Sequence, residues 1–186
     1  QGSPRDTVVR RLSRIIMIPV LLAGAITSIP VEPVKITCES CTKQEQMALE
    51  AFQENGIKDR FALATLLGNI KHESQFHPDI CEGGARVQYE QCHTGGFGLI
   101  QWTTTGRYDG LGRYARNNGC HPSTTECQLG YIFTEREWKA AAPGFTTPGK
   151  SIEGYMKNAY TWLGWGIHGA RTDYAYNYAR QFDPHP

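Results

Sequence analysis

The chain has 186 residues and 40% hydrophobic content, enough for one packed domain plus an appendage and too little for two enzymatic domains. Its 19 basic and 18 acidic residues give a formal charge of +1, and five of the basic ones fall before Thr37 against Asp6 and Glu32 alone. The remainder therefore carries a slight negative excess, which excludes nucleic acid as a partner and leaves shape and hydrogen bonding to hold any substrate.

Residues 1–36 read as an arm distinct from the domain at 37–186. Arg5, Arg10, Arg11 and Arg14 precede an uncharged run, Ile15 to Val31, broken by Pro19 and Pro30. A basic flank before an apolar stretch of this length is the pattern of a secretory signal or of an anchor making membrane contact through residues 15–31. A hydrophobic peg seated in a larger assembly has the same composition, and both readings stay open.

Thr42-Lys43-Gln44-Glu45 is a capping box, and the helix it opens turns Met47, Ala48, Ala51 and Phe52 inward before stopping at Asn55-Gly56. Leu63, Leu66, Leu67 and Ile70 fall at helical spacing on the next helix, and one more turn of the same stripe carries Glu73 and Ser74. Beyond it, Ala85 to Gln91 reads as a short strand pairing with Phe97 to Gln101, a small β-hairpin lobe. A helix from about Arg107, with Tyr108, Leu111 and Tyr114, ends at Asn118-Gly119. Another from about Thr125 carries Leu129, Ile132 and Phe133 and stops before Pro143-Gly144. Ser151 caps a helix with Ile152, Tyr155, Met156 and Ala159. After Gly164-Trp165-Gly166, the last helix aligns Tyr174, Tyr178 and Phe182 as a core stripe.

Six cysteines in short-range pairs favour an oxidising compartment. Proximity favours Cys38 with Cys41, Cys81 with Cys92 and Cys120 with Cys127. Weaker alternatives are a redox dithiol at Cys38-Glu-Ser-Cys41 or a zinc site drawing on His72, His77 or His93. No cofactor or metal is expected.

Glu73 is the candidate for the chemistry, although a glutamate at a helix end has the same pattern as a simply solvated residue. Half-buried in the last turn of its helix, it meets both desolvation and exposed carbonyls, which push its acidity down toward that of a general acid at a glycosidic oxygen. Gly95-Gly96-Phe97-Gly98-Leu99-Ile100-Gln101-Trp102 then brings glycine backbone, an amide and an indole together. Sugars are bound by such groups, although a tight turn with a buried Trp102 has the same composition.

Together, Glu73-Ser74, Pro78 and the segment GGFGLIQWT resemble the phage tail lysozyme family, with its E-S-x-x-x-P segment followed by G-x-G-L/I-x-Q-W-T. The resemblance runs from Thr42 to Phe182: Leu129-Ile132-Phe133-Glu135 is similar to a later helix of that family, and Arg171 with the aromatic helix after it to the closing one. A related glutamate and glycine pattern occurs in lytic transglycosylases. The resemblance implies an α+β, mostly α, lysozyme-like fold and cleavage of peptidoglycan glycan strands. It implies Glu73 as general acid and Ser74, Gly96, Phe97, Gly98, Gln101, Trp102 and Thr103 as the substrate-binding set. It also implies virion-tail or envelope-machine partners and action at the bacterial cell wall, a membrane-anchored periplasmic protein being the alternative. Between Asp79 and Thr94 a cysteine-bearing insertion departs from the family pattern. The candidates for a second carboxylate are therefore Glu82, Glu90 and Asp109. Two other readings are a wall endopeptidase using Cys81 or Cys92 with His93 or His121, and a structural tail component that binds glycan without cutting it.

Overall fold

The computed structural model describes residues 34–184, so the apolar run of the arm lies outside the described residues. The fold is mostly α. Helix α1, Lys43–Glu54, starts where the Thr42 hydroxyl accepts the Glu45 N–H and the Glu45 carboxylate accepts the Thr42 N–H, the expected capping box. It ends at Asn55.

Helix α2, Arg60–Ser74, is capped by Asp59, which accepts the N–H groups of Phe61 and Ala62. Every residue from Ala62 to Ile70 is buried, so the apolar stripe seen in the sequence is one side of a helix enclosed on all sides. Its buried polar groups stay satisfied along the helix itself: Thr65 donates to the Phe61 carbonyl and the Asn69 amide to the Thr65 carbonyl. Helices α1, α6 and α7 pack around it.

Helix α3, Thr105–Asn118, is capped by Thr104 and terminated by Gly119 at φ +64°. The single helix expected from Thr125 to Pro143 is two: α4, Thr125–Ile132, and α5, Arg136–Thr146. The break is made by Glu135, a buried N-cap residue held by Trp102 and Arg107 from outside the segment. Pro143 sits in the final turn of α5 rather than before it, and the Thr147 N–H still closes onto its carbonyl. Ser151 caps α6, Ile152–Leu163. On α7, Arg171–Gln181, Tyr178 and the following Phe182 are buried as expected, while Tyr174 is only half-buried.

The hairpin lobe is smaller than expected. In place of strands at 85–91 and 97–101 there are isolated bridges, Ile80 with Arg86, Cys81 with Phe97 and Phe97 with Trp102, and residues Tyr89–Gln91 form a 3₁₀ turn. The reason is backbone sign: Gly83, Gly84, Gly95, Gly98 and Gln101 all have positive φ, which folds the chain back before a ladder can extend. The three disulfides pair as proximity favours, Cys38–Cys41, Cys81–Cys92 and Cys120–Cys127.

At the start of the domain, Ile36 exchanges two hydrogen bonds with the Gln53 side chain, both 2.8 Å, and Thr37 bridges Asp183. Lys35 pairs with Glu50. Lys35 and Ile36, which a boundary after residue 36 assigns to the arm, are thus bonded to α1.

Candidate active site

Helix α2 delivers Glu73 at its C-terminal end, and the exit from that helix is unusual. Gln75 and Phe76 are consecutive non-glycine residues at φ +53° and +61°, a left-handed pair costing about 1–2 kcal/mol each. The conformation is held locally: Ser74 donates its hydroxyl proton to the Ile70 carbonyl and accepts the Phe76 N–H, while the Phe76 ring is buried edge-on to Tyr178. Strain of this kind concentrates where side chains must be aimed. Ser74, expected to touch substrate, is 2% exposed and instead shapes this turn.

The Glu73 side chain is 16% exposed, and its Oε1 lies 2.6 Å from Nη2 of Arg171, the first residue of α7. Arg171 is buried more deeply still, with 4% of its side chain exposed. Its Nη1 donates to Asn69 Oδ1 at 3.3 Å, and its guanidinium lies 4.6 Å from the ring centre of Trp165. Burial raises the Glu73 pKa above the ordinary carboxyl range, while the charge and hydrogen bond of Arg171 pull it back only in part. On the same turn, burial followed by the nearby charges of Arg171 and His168 pushes the His72 pKa down. The result is a carboxyl that keeps its proton to higher pH than an ordinary one, backed by a guanidinium and a Trp165 loop that sequence reasoning did not connect to it. No local signal joins them, since the contact is made by the packing of α7 on α2.

The glycine-rich segment forms a tight turn closed by Phe97–Trp102 hydrogen bonds in both directions. Gly96, Phe97 and Gly98 are buried. Phe97 packs edge-on against the stacked pair Tyr89 and Tyr108. Trp102 is fully buried and donates its indole N–H to Glu135 at 3.0 Å, so it presents no face to a sugar. Neither Phe97 nor Trp102 can touch substrate in this conformation. Gln101 is half-buried, with its amide donating to the carbonyls of Gly98 and Ile80, and Thr103 is exposed. A deeper residue ties the turn down: the buried Gln128 of α4 accepts the Leu99 N–H and donates to the carbonyls of Pro78 and Pro122.

The candidate second carboxylates Glu82, Glu90 and Asp109 are all exposed. Glu82 is the most constrained of them, accepting the Gly96 N–H at 2.9 Å while its own N–H donates to the Gly96 carbonyl. Cys81 and Cys92 are bridged to each other, which removes the thiolate that the cysteine-histidine endopeptidase reading requires. The Cys38–Cys41 bridge likewise withdraws both sulfurs from the zinc reading. Among the described residues no helix is long and apolar enough to cross a membrane. A family profile described as phage tail lysozyme matches residues 43–182, a span that opens with the first residue of α1 and closes just past α7. No curated protein matches the chain.

Proposed function

The chain belongs to the phage tail lysozyme family, and from that premise we propose that it is a peptidoglycan glycosidase, acting on cell-wall glycan strands from a virion tail, with Glu73 as general acid. The observation that carries this reading is the half-buried Glu73 carboxyl at the end of an enclosed helix, its pKa raised by burial and its Oε1 2.6 Å from Arg171. The protonated carboxyl gives its proton to the bridging oxygen as the glycosidic C–O bond breaks, leaving a hydroxyl on one sugar and an electron-poor anomeric carbon on the other. Attack by water, or by a hydroxyl of the same sugar, completes the reaction and returns a proton to Glu73. The first outcome is lysozyme-type hydrolysis and the second lytic transglycosylation.

Clearing of a peptidoglycan suspension tests the reading. Glu73→Gln keeps size and most hydrogen bonding but removes the transferable proton, so turnover falls by roughly 10² to 10⁴ with the fold unchanged. Digestion at the parent rate would overturn the assignment, and a parent protein that binds peptidoglycan without cutting it would make the domain a glycan-binding structural component. Mass spectrometry of the released fragments separates the two endings, because only transglycosylation leaves an anhydro sugar. A large loss in Glu82→Gln or Glu90→Gln supports a paired-carboxylate hydrolase; tolerance of both leaves Glu73 as the acid without either of them.

A further inference from the structure

We propose that Arg171 is a positioning residue for the acid: its guanidinium fixes the Glu73 carboxyl by one oxygen and stabilises the negative charge that appears there as the proton departs. The proposal rests on the reading of Glu73 as general acid, and it begins from a contrast between two deeply placed glutamate–arginine pairs among the described residues. Glu135 is gripped at both ends, Oε1 by Arg107 Nε at 2.8 Å and Oε2 by Arg107 Nη2 at 2.9 Å, with Trp102 added on Oε2. That carboxylate is saturated with donors and ties α3, α5 and the glycine-rich turn together. Glu73 meets Arg171 through Oε1 and Nη2 at 2.6 Å.

The guanidinium is fixed from the other sides. Asn69 Oδ1 takes Nη1, the Trp165 ring covers its face, and the side chain is almost wholly enclosed. Its Nε–H, also buried, has no hydrogen-bond partner among the described residues. An arginine serving only to tie helices together gains by filling its fork, whereas this one commits a single nitrogen to the acid and leaves another bare.

Burial and cation act in opposition on one carboxyl. Burial alone would keep the proton on but penalise the anion left after transfer. A cation at 2.6 Å offsets that penalty as the charge develops, in a site where water contributes little. The other charged or titratable groups on the surrounding segments do not supply this. Lys71 of α2 is engaged with Glu45, burial and the Arg171 charge disfavour a proton on His72, His168 of the connecting loop pairs with Thr172, and Asp173 of α7 is exposed.

The test uses the whole chain and three variants, Arg171→Gln, Arg171→Lys and Glu73→Gln, each checked for folding by circular dichroism. The kcat–pH profile on soluble glycan fragments is read together with the carboxyl-carbon NMR titration of Glu73. Arg171→Gln should lower kcat about tenfold to a hundredfold with little change in KM, and should move both the alkaline limb and the Glu73 titration midpoint to higher pH. Arg171→Lys keeps the charge on a looser contact, so its midpoint should lie between the parent and Gln values. A midpoint unchanged in Arg171→Gln overturns the proposal; if that variant does not fold, a midpoint unchanged in Arg171→Lys does so. An active Glu73→Gln protein would sink the reading of the acid itself, whereas an inactive one beside an unmoved midpoint sinks only the role of Arg171.

Discussion

At Gly68 the backbone of α7 leaves no room for a side chain on α2, and replacing this glycine by alanine measures how tightly the acid and its arginine are held. A Cβ built there would lie 2.6 Å from the Ala175 nitrogen, 2.9 Å from the Ala175 Cα and 3.0 Å from the Arg171 carbonyl oxygen. All three are backbone atoms of α7, which cannot rotate away, and ordinary contact begins near 3.5 Å, so α7 must retreat by roughly 1 Å. Overpacking of this sort costs about 1–3 kcal/mol, while the better helix propensity of alanine returns about 1 kcal/mol. With rigid backbone on the far side the steric cost falls in the upper part of that range, about 2–3 kcal/mol, for a net loss of roughly 1–2 kcal/mol. In a domain of this size that lowers Tm by about 2–8 °C. Because the Arg171 carbonyl is one of the atoms displaced, its guanidinium also shifts from Glu73, and peptidoglycan clearing well below Tm should fall about tenfold. Thermal unfolding followed by circular dichroism gives the first quantity and the clearing rate the second. A Tm equal to or above that of the parent would refute the packing argument, since helix propensity would then have prevailed.

Trp102→Phe removes a buried hydrogen bond to a charged partner and should destabilise by about 1.5–3 kcal/mol without raising KM; a raised KM at unchanged Tm would return the indole to the substrate. Glu45 offers a pH signature. Burial opposes its charge, but the Tyr178 hydroxyl, the Thr42 N–H and Lys71 outweigh burial and hold its pKa below the ordinary carboxyl range. Its stabilising effect is then fully present above the unfolded-state pKa and is lost as pH falls through the folded one. The Tm gap between parent and Glu45→Gln should therefore narrow on acidification, and a gap that widens contradicts the assignment. Removing residues 1–32 leaves the Ile36–Gln53 and Thr37–Asp183 contacts in place, so the truncated chain should fold and cleave peptidoglycan as the parent does; an unfolded product in circular dichroism would place the arm within the core.

What could be read directly from the sequence was whatever is decided within a few residues. The capping box at Thr42 and Glu45, the glycine ending α3, the Ser151 cap and the disulfide pairs all rest on local chemistry. The stripe leading to Glu73 was visible for the same reason. The misreadings share the opposite cause. The break between α4 and α5 depends on Glu135 meeting Trp102 and Arg107, and the loss of the hairpin strands depends on five positive φ angles whose combined effect no period-two pattern reveals. Gln101-Trp102 suggested a sugar site because the same two side chains that bind carbohydrates also make good internal fasteners, and burial alone distinguishes these uses. Arg171 was legible only as the start of a closing helix, its contact with Glu73 being a product of tertiary packing.

The enclosure of α2 has a consequence for how activity is lost. Amide protons on its middle turns can exchange with solvent only when α1, α6 and α7 have come away, which makes this helix part of the slowest-exchanging unit of the domain. Warming or mild denaturant should therefore leave the acid in register until the cooperative transition and then remove it at once, so that the activity curve and the global unfolding curve share a midpoint.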